Sequence, residues 1–211
     1  MFYAISGRLI IPNRLSILDL GCGENKIPNA IGLDNVAIPN VDVVHDLMTF
    51  PYPFDNQQFD KIYLRHVIEH FKIQDINKIF SECHRILKSN GRLIITVPHV
   101  FSLSAFIDPT HKSFFTFGSG GFWSVNNPKA YYTDINTDLY LSETGCRVNW
   151  FDWKRYRLRI LNNWFSKLIE IRIKKAILNK NNPSLADRIV KRGAFQLVEI
   201  KWVYKKSNKK L

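Results

Sequence analysis

The sequence predicts an α/β protein built on an open, mainly parallel, doubly wound sheet, and three observations predict it. Short apolar runs recur and close on glycine or aspartate: "LSILDL" (15–20), "AIGLD" (30–34) and "VDVVHD" (41–46). Nearly continuous apolar runs of this kind are the pattern of parallel strands covered on both faces. A helical-period segment then separates a fourth such run from a fifth, the alternation that a parallel sheet requires. Finally, 211 residues with 45% hydrophobic content suit one sizeable core, so residues 1–211 are expected to form a single domain.

Taken in order, the three early runs are followed by the turn-rich "FPYPFDNQQ" and a fourth strand, "FDKIYL" (59–64). Residues 66–88 carry Ile76, Ile79, Phe80, Cys83, Ile86 and Leu87 at helical spacing, and "SNG" stops the helix. "GRLIITVP" makes the fifth strand. Beyond Pro98 more than 30 aromatic-rich, glycine-punctuated residues predict a functional loop. "RVNWFDWKRY" (147–156) and "FQLVEIKWVYKK" (195–206) predict two late strands. Between them, "LRILNNWFSKLIEIRIKKAILNK" has Leu161, Trp164, Phe165 and Leu168 at a helical period, which favours a helix, although "IEIRIK" alternates like a strand, and "PSLADRIVKRG" predicts a short helix opened by Pro183 and stopped by Gly193.

The charge is unevenly placed. Residues 1–150 hold 13 Lys and Arg against 14 Asp and Glu, whereas residues 151–211 hold 17 against 4. A tail this basic suits a polyanion, whether nucleic acid, an anionic membrane surface or a phosphorylated substrate, or else a solvated face. No run is long and apolar enough for a membrane span, and Gly7 and Arg8 interrupt the apolar start, so a cytoplasmic protein is expected. Cys22, Cys83 and Cys146 form no C-x-x-C pair and read as free thiols.

Ligands of doubly wound sheets lie across the carboxyl ends of the strands. Gly21 and Gly23 follow the first strand, Asp34 ends the second, Asp46 follows the third and His66 the fourth. A carboxylate at the position of Asp34 can accept both hydrogens of a ribose diol, and Asp46 stands near where an adenine amino group would lie. The third glycine of a G-x-G-x-x-G dinucleotide motif is absent; Lys26 stands there. Only about nine residues join the first two strands, short of a helical crossover, so the first helix is trimmed to a turn or less.

"LDLGCG", "GLD", "HDL", "FDKIYLRHVIEH" and "HRILKSNGRLIITVP" resemble the successive motifs of class I S-adenosylmethionine-dependent methyltransferases, clearly over residues 15–98. The resemblance implies a Rossmann-like sheet with an antiparallel last strand. It also divides the domain into a cofactor-binding core (15–98), a substrate and lid segment (99–146) and a basic part completing the sheet (147–211). It implies that Asp19 and the turn Gly21, Cys22, Gly23 face the methionine part of S-adenosylmethionine, and that Asp34, with Asn35 beside it, holds the ribose. Asp46 and the Leu47 amide would frame the adenine, His66 would lie near the sulfonium, and Lys26 or Arg65 would hold the methionine carboxylate. S-adenosylhomocysteine is the implied product. The abbreviated first helix with "DPTHKSFF" resembles a branch acting on glycans and other small metabolites.

Transfer to a hydroxyl needs a base, and histidine is the usual choice. The candidates are His111 and Asp108 in "DPTH" and His99 after the fifth strand, against a purely structural role for the segment. No metal is predicted, since the spacing of Asp108, His111 and His99 is not diagnostic. Glu69 reads as a first-turn acid and His70 as a residue packed or paired with a neighbour. Phe114, Phe115, Phe117, Phe122 and Trp123 read as a lid over the acceptor, or as core. The expected partner is a small-molecule or glycan acceptor, lipid-linked if "NWFSKLIEIRIKK" lies on the inner face of an anionic membrane. The alternatives are an RNA methyltransferase using the basic tail and a non-catalytic partner protein of the same fold.

Overall fold

A computed structural model describes residues 3–5, 8–10, 16–125, 137, 139–150 and 195–207. Its centre is a seven-stranded sheet. The strands are β3 (Ile17–Leu20), β4 (Ile31–Asp34), β5 (Val43–Val44), β6 (Phe59–Arg65), β7 (Leu87–Pro98), β8 (Leu139–Trp150) and β9 (Phe195–Lys206), in the spatial order β5-β4-β3-β6-β7-β9-β8. The first five pair in parallel, and β9 runs antiparallel to both of its neighbours. The order reverses between β3 and β6, so the ligand crevice of such a sheet falls where these two strands end. A separate hairpin, β1 (Tyr3–Ile5) with β2 (Arg8–Ile10), was not expected from the sequence.

The apolar runs of β3, β4 and β6 become strands because they are covered on both faces, whereas β5 at the edge leaves Val44 exposed. Leu18, Leu20, Leu33, Ile62 and Leu64 are fully buried. The helix α1 (Ile73–Ile86) turns Ile76, Ile79, Phe80, Cys83 and Ile86 inward, as their spacing predicts. The one helix expected over 66–88 is nevertheless broken. His66 takes a left-handed φ of 56°, Ile68–His70 form a single 3₁₀ turn, and Phe71 and Lys72 are extended. The physical reason lies in the Glu69 carbonyl, which accepts the amides of Lys112 and Ser113 in place of a helical partner.

No helix joins β3 to β4, as the short connection requires. The buried Asp19 holds that loop instead: its carboxylate accepts the Ile27 amide at 2.8 Å and pairs with Arg65 at 2.7 Å. Pairing of this kind offsets the cost of burying the charge.

The late part differs from expectation at one strand. β9 has the predicted bounds, but β8 begins at Leu139 rather than 147, because register shifts at Leu141/Glu143 and Arg147/Val148 interrupt its period of two. Trp202 and Tyr204 of β9 are fully buried, and Tyr204 donates to the Gly120 carbonyl. The two helices expected within residues 157–193, and the rest of the basic tail apart from 195–207, lie outside the described residues.

Candidate active site

The carboxyl ends of β3, β4, β5 and β6 surround a cavity of about 290 Å³. Six of the residues singled out from the sequence line it: Gly21, Asp34, Asn35, Asp46, Leu47 and His66. Gly21 has a φ of 64°, and a Cβ there would fall 2.5 Å from a methyl of Val67, so only glycine lets the chain turn under the cavity. Asp34 Oδ2 accepts the Gly23 amide at 2.9 Å and Oδ1 the Val36 amide at 3.2 Å. A carboxylate has about four lone-pair sites, so about two stay available for a diol. Asp46 anchors its own turn through Oδ1 and the Met48 amide at 2.9 Å.

Five other expected cofactor contacts are not among the residues lining this cavity. Asp19 is fully buried in its loop-closing pair with Arg65, and Lys26 is bound to Asp42 at 2.7 Å. Both cations expected at the methionine carboxylate thus have anionic partners already. Cys22 is buried, and burial first, then the charges of Asp19 and Asp34, push its thiol up to about 11, which removes it as a nucleophile. Gly23 acts through its amide on Asp34.

The remaining lining residues are His45, Val67, His70 and Phe71, which the sequence did not mark as cofactor contacts. His66 lies 3.4 Å from Glu69 Oε1 and 3.2 Å from Glu199 Oε1. The adjacent Glu69 carboxylate raises the His66 pKa most; burial opposes it, and Glu199 adds to the rise. Among the described lining residues, His45, His66 and His70 are the groups able to carry positive charge.

His70 brings the loop candidates to the same wall. Its Nδ1 lies 2.8 Å from Thr110 Oγ1, whose hydroxyl donates to Asp108 Oδ1 at 2.7 Å. The rings of His70 and His111 meet edge to face at 4.8 Å, and His111 Nε2 is 3.9 Å from Asp108 Oδ2. Hydrogen bonds from Thr110, chiefly its hydroxyl and then its amide, hold the Asp108 carboxyl below its ordinary value. His99 is placed apart from this group: it is fully buried, its Nδ1 accepts the Phe101 amide and its ring packs on Phe117. Three of the five aromatics expected in a lid are core instead. Trp123 stacks on Phe80, Phe115 meets Trp202 edge to face, and Phe117 is buried beside His99.

Residues 18–95 match the methyltransferase domain family. Over that stretch the chain is similar to class I S-adenosylmethionine-dependent methyltransferases. Solved structures share the fold of this methyltransferase at low identity. A SAM-dependent methyltransferase from Archaeoglobus fulgidus is 19% identical, with 90% of this chain and 86% of that one covered and a TM-score of 0.54. The YcgJ protein from Bacillus subtilis is 17% identical, with 93% and 94% covered and a TM-score of 0.50. A phosphoethanolamine N-methyltransferase from Plasmodium falciparum is 40% identical over 52 residues, which span 25% of this chain and 19% of that relative.

The cavity of the methyltransferase fits its cofactor, S-adenosylmethionine. The turn at Gly21 lets backbone approach a ligand, Asp34 keeps acceptor capacity, and Asp46 and Leu47 line the cavity beyond the end of β5.

Proposed function

We propose that the protein transfers a methyl group to a hydroxyl of a small-molecule or glycan acceptor. S-adenosylmethionine supplies an already activated methyl group, so the chain's own task is to align the acceptor oxygen and take up its proton. The observation that carries the reading is the tie between the cavity and the "DPTH" segment. His70 lines the cavity, and His111, Thr110 and Asp108 stand behind it in one hydrogen-bonded and stacked group. His111 Nδ1 lies 2.9 Å from the Ala105 carbonyl and must donate to it, which leaves Nε2 as the basic nitrogen. His111 is the base in this reading, with His70 between it and the cavity.

Exposed Leu103, with Phe106 and Ile107 on the short helix α2 (Ser104–Ile107) that follows it, supports an acceptor with an apolar part, as a lipid-linked glycan has. Binding to anionic vesicles at low salt tests the membrane-facing form of this proposal. No described helix is long and apolar enough to cross a membrane. A second reading, methylation of a small amine, draws on the 52-residue match to the phosphoethanolamine enzyme.

The experiment is methyl transfer from labelled S-adenosylmethionine into host extract separated into lipid, glycan, amine and RNA fractions, with Asp34→Ala and His111→Ala beside wild type. Label in the lipid or glycan fraction, lost in both variants, is the expected result. Label in the amine fraction selects the second reading, and label in RNA overturns both.

A further inference from the structure

We propose that Glu69, His70 and His111 form a binding site for a divalent transition-metal ion, zinc by ligand type, in the wall of the cavity. Glu69 starts the argument. Its side chain is 1% exposed, and neither carboxylate oxygen has a hydrogen-bond partner; the nearby His66 Nδ1, at 3.4 Å, makes an ion-pair contact only. That contact serves one oxygen and offsets part of the cost of burying the charge, while the other oxygen has no partner; buried charges are ordinarily paired, hydrogen-bonded or bound to metal. One ligand atom from each of Glu69, His70 and His111 lies within 4.8 Å of the other two.

The hydrogen bonds around the two histidines prepare them as ligands. The Thr110 hydroxyl donates to Asp108, so it receives the Nδ1 proton of His70, while His111 Nδ1 donates to the Ala105 carbonyl. In its neutral form each ring then carries its lone pair on Nε2, the arrangement that orients metal-bound histidine, with Asp108 Oδ2 3.9 Å from that nitrogen of His111. Two imidazoles and one carboxylate are a zinc donor set, and three protein ligands leave a fourth position open. Magnesium and calcium prefer all-oxygen sites. Tetrahedral zinc brings its ligand atoms to about 3.3 Å, so binding draws the three side chains together by on the order of 1 Å.

His70 lines the cavity, so the open position faces the acceptor. The role of the ion rests on the proposed hydroxyl methylation: an acceptor hydroxyl bound in the open position loses its proton to solvent more readily. His111 Nε2 is then a ligand and no longer the base.

The test titrates Co²⁺ into chelator-treated whole chain without S-adenosylmethionine or acceptor, reading the visible absorption of tetrahedral cobalt. One equivalent per chain, displaced by Zn²⁺, is expected. Glu69→Gln, nearly isosteric, and His111→Gln should abolish it, and Thr110→Val should weaken it about 10–100-fold by freeing the His70 ring. Circular-dichroism melts establish that each variant is folded; if Glu69→Gln melts early, His70→Gln on the half-buried ring takes its place. Wild type without stoichiometric binding, or a folded Glu69→Gln or His70→Gln that retains it, overturns the site. Methyl transfer that persists under chelation removes the ion's role and leaves the proposed function intact. Stoichiometric binding without hydroxyl methylation does the reverse.

Discussion

The two walls of the cavity are built differently. On the cofactor wall Gly21, Asp34 and Asp46 each stand at the end of their own parallel strand, and each carboxylate is oriented by an amide two residues on, Val36 for Asp34 and Met48 for Asp46. On the acceptor wall Glu69 and His70 meet Thr110 and His111 across about 40 residues of chain. There the two segments are held by the Glu69 carbonyl, which accepts the Lys112 and Ser113 amides, and by the Ser113 hydroxyl on the Phe71 carbonyl. The first wall is local chemistry on a rigid scaffold, and the second is a tertiary assembly of two loops. Changes to one wall should therefore leave the other's function standing.

The sharpest way to break that separation is at His111. If it is the base, His111→Ala lowers kcat about 10²–10⁴-fold, the range for a lost proton-transfer group, while the Kd for S-adenosylmethionine is unchanged. Stopped-flow turnover beside calorimetric cofactor binding checks both halves, and loss of cofactor affinity would show that the walls are coupled. On the other wall, Asp34→Ala removes hydrogen bonds from two ribose hydroxyls to a charged acceptor. At about 1.5 kcal/mol each, cofactor binding should weaken about 100-fold by calorimetry, with the Co²⁺ absorption unaltered.

A change beneath both walls should cost stability alone. A Cβ at Gly120 would lie 2.6 Å from the Trp202 indole, so Gly120→Ala overpacks the support of the aromatic segment. It should destabilise by about 1–3 kcal/mol in denaturant melts with cofactor affinity retained. The smallest effect lies at the far end of the sheet. Partial burial raises the Asp60 carboxyl, but hydrogen bonds from Lys88 and from the Ser16 amide and hydroxyl outweigh it and hold the group below its ordinary value. A depressed carboxylate stabilises the fold above its unfolded pKa, and that contribution is lost as pH falls from about 4 through the lower folded value. Asp60 is a third exposed, so the amount is at most about 1 kcal/mol. Lys88→Ala should flatten this part of the stability profile in acid melts.

Much of the cofactor wall was legible from residues alone, because glycine at a strand end, aspartate at the next and a connection too short for a helix are all local signals. The destinations of Asp19, Lys26 and Arg65 were not. Their polar character marks them equally as ligands or as partners, and the loop that replaces the first helix takes them as partners. The spacing of "HVIEH" predicts one continuous helix with His70 packed or paired with a neighbour, and His70 does pair, with Thr110. The break at Phe71 depends on amides from residues 112 and 113, which no local pattern reveals, and it turns His70 toward the cavity. Aromatic residues are ambiguous for the same reason: Phe115, Phe117 and Trp123 could serve a lid or a core, and the packing of Trp202 and Phe80 made them core.

Strand order, the short first crossover and the carboxylates at the ends of β4 and β5 follow from periodicity and turn chemistry, which act over a few residues and so are written in the chain itself. The union of Glu69 and His70 with the "DPTH" loop, the withdrawal of His99 into the core and the start of β8 at Leu139 follow from packing between distant segments. Such contacts form only once burial of the sheet has repaid the entropy of closing long loops, and a one-dimensional pattern carries no record of which partners then meet.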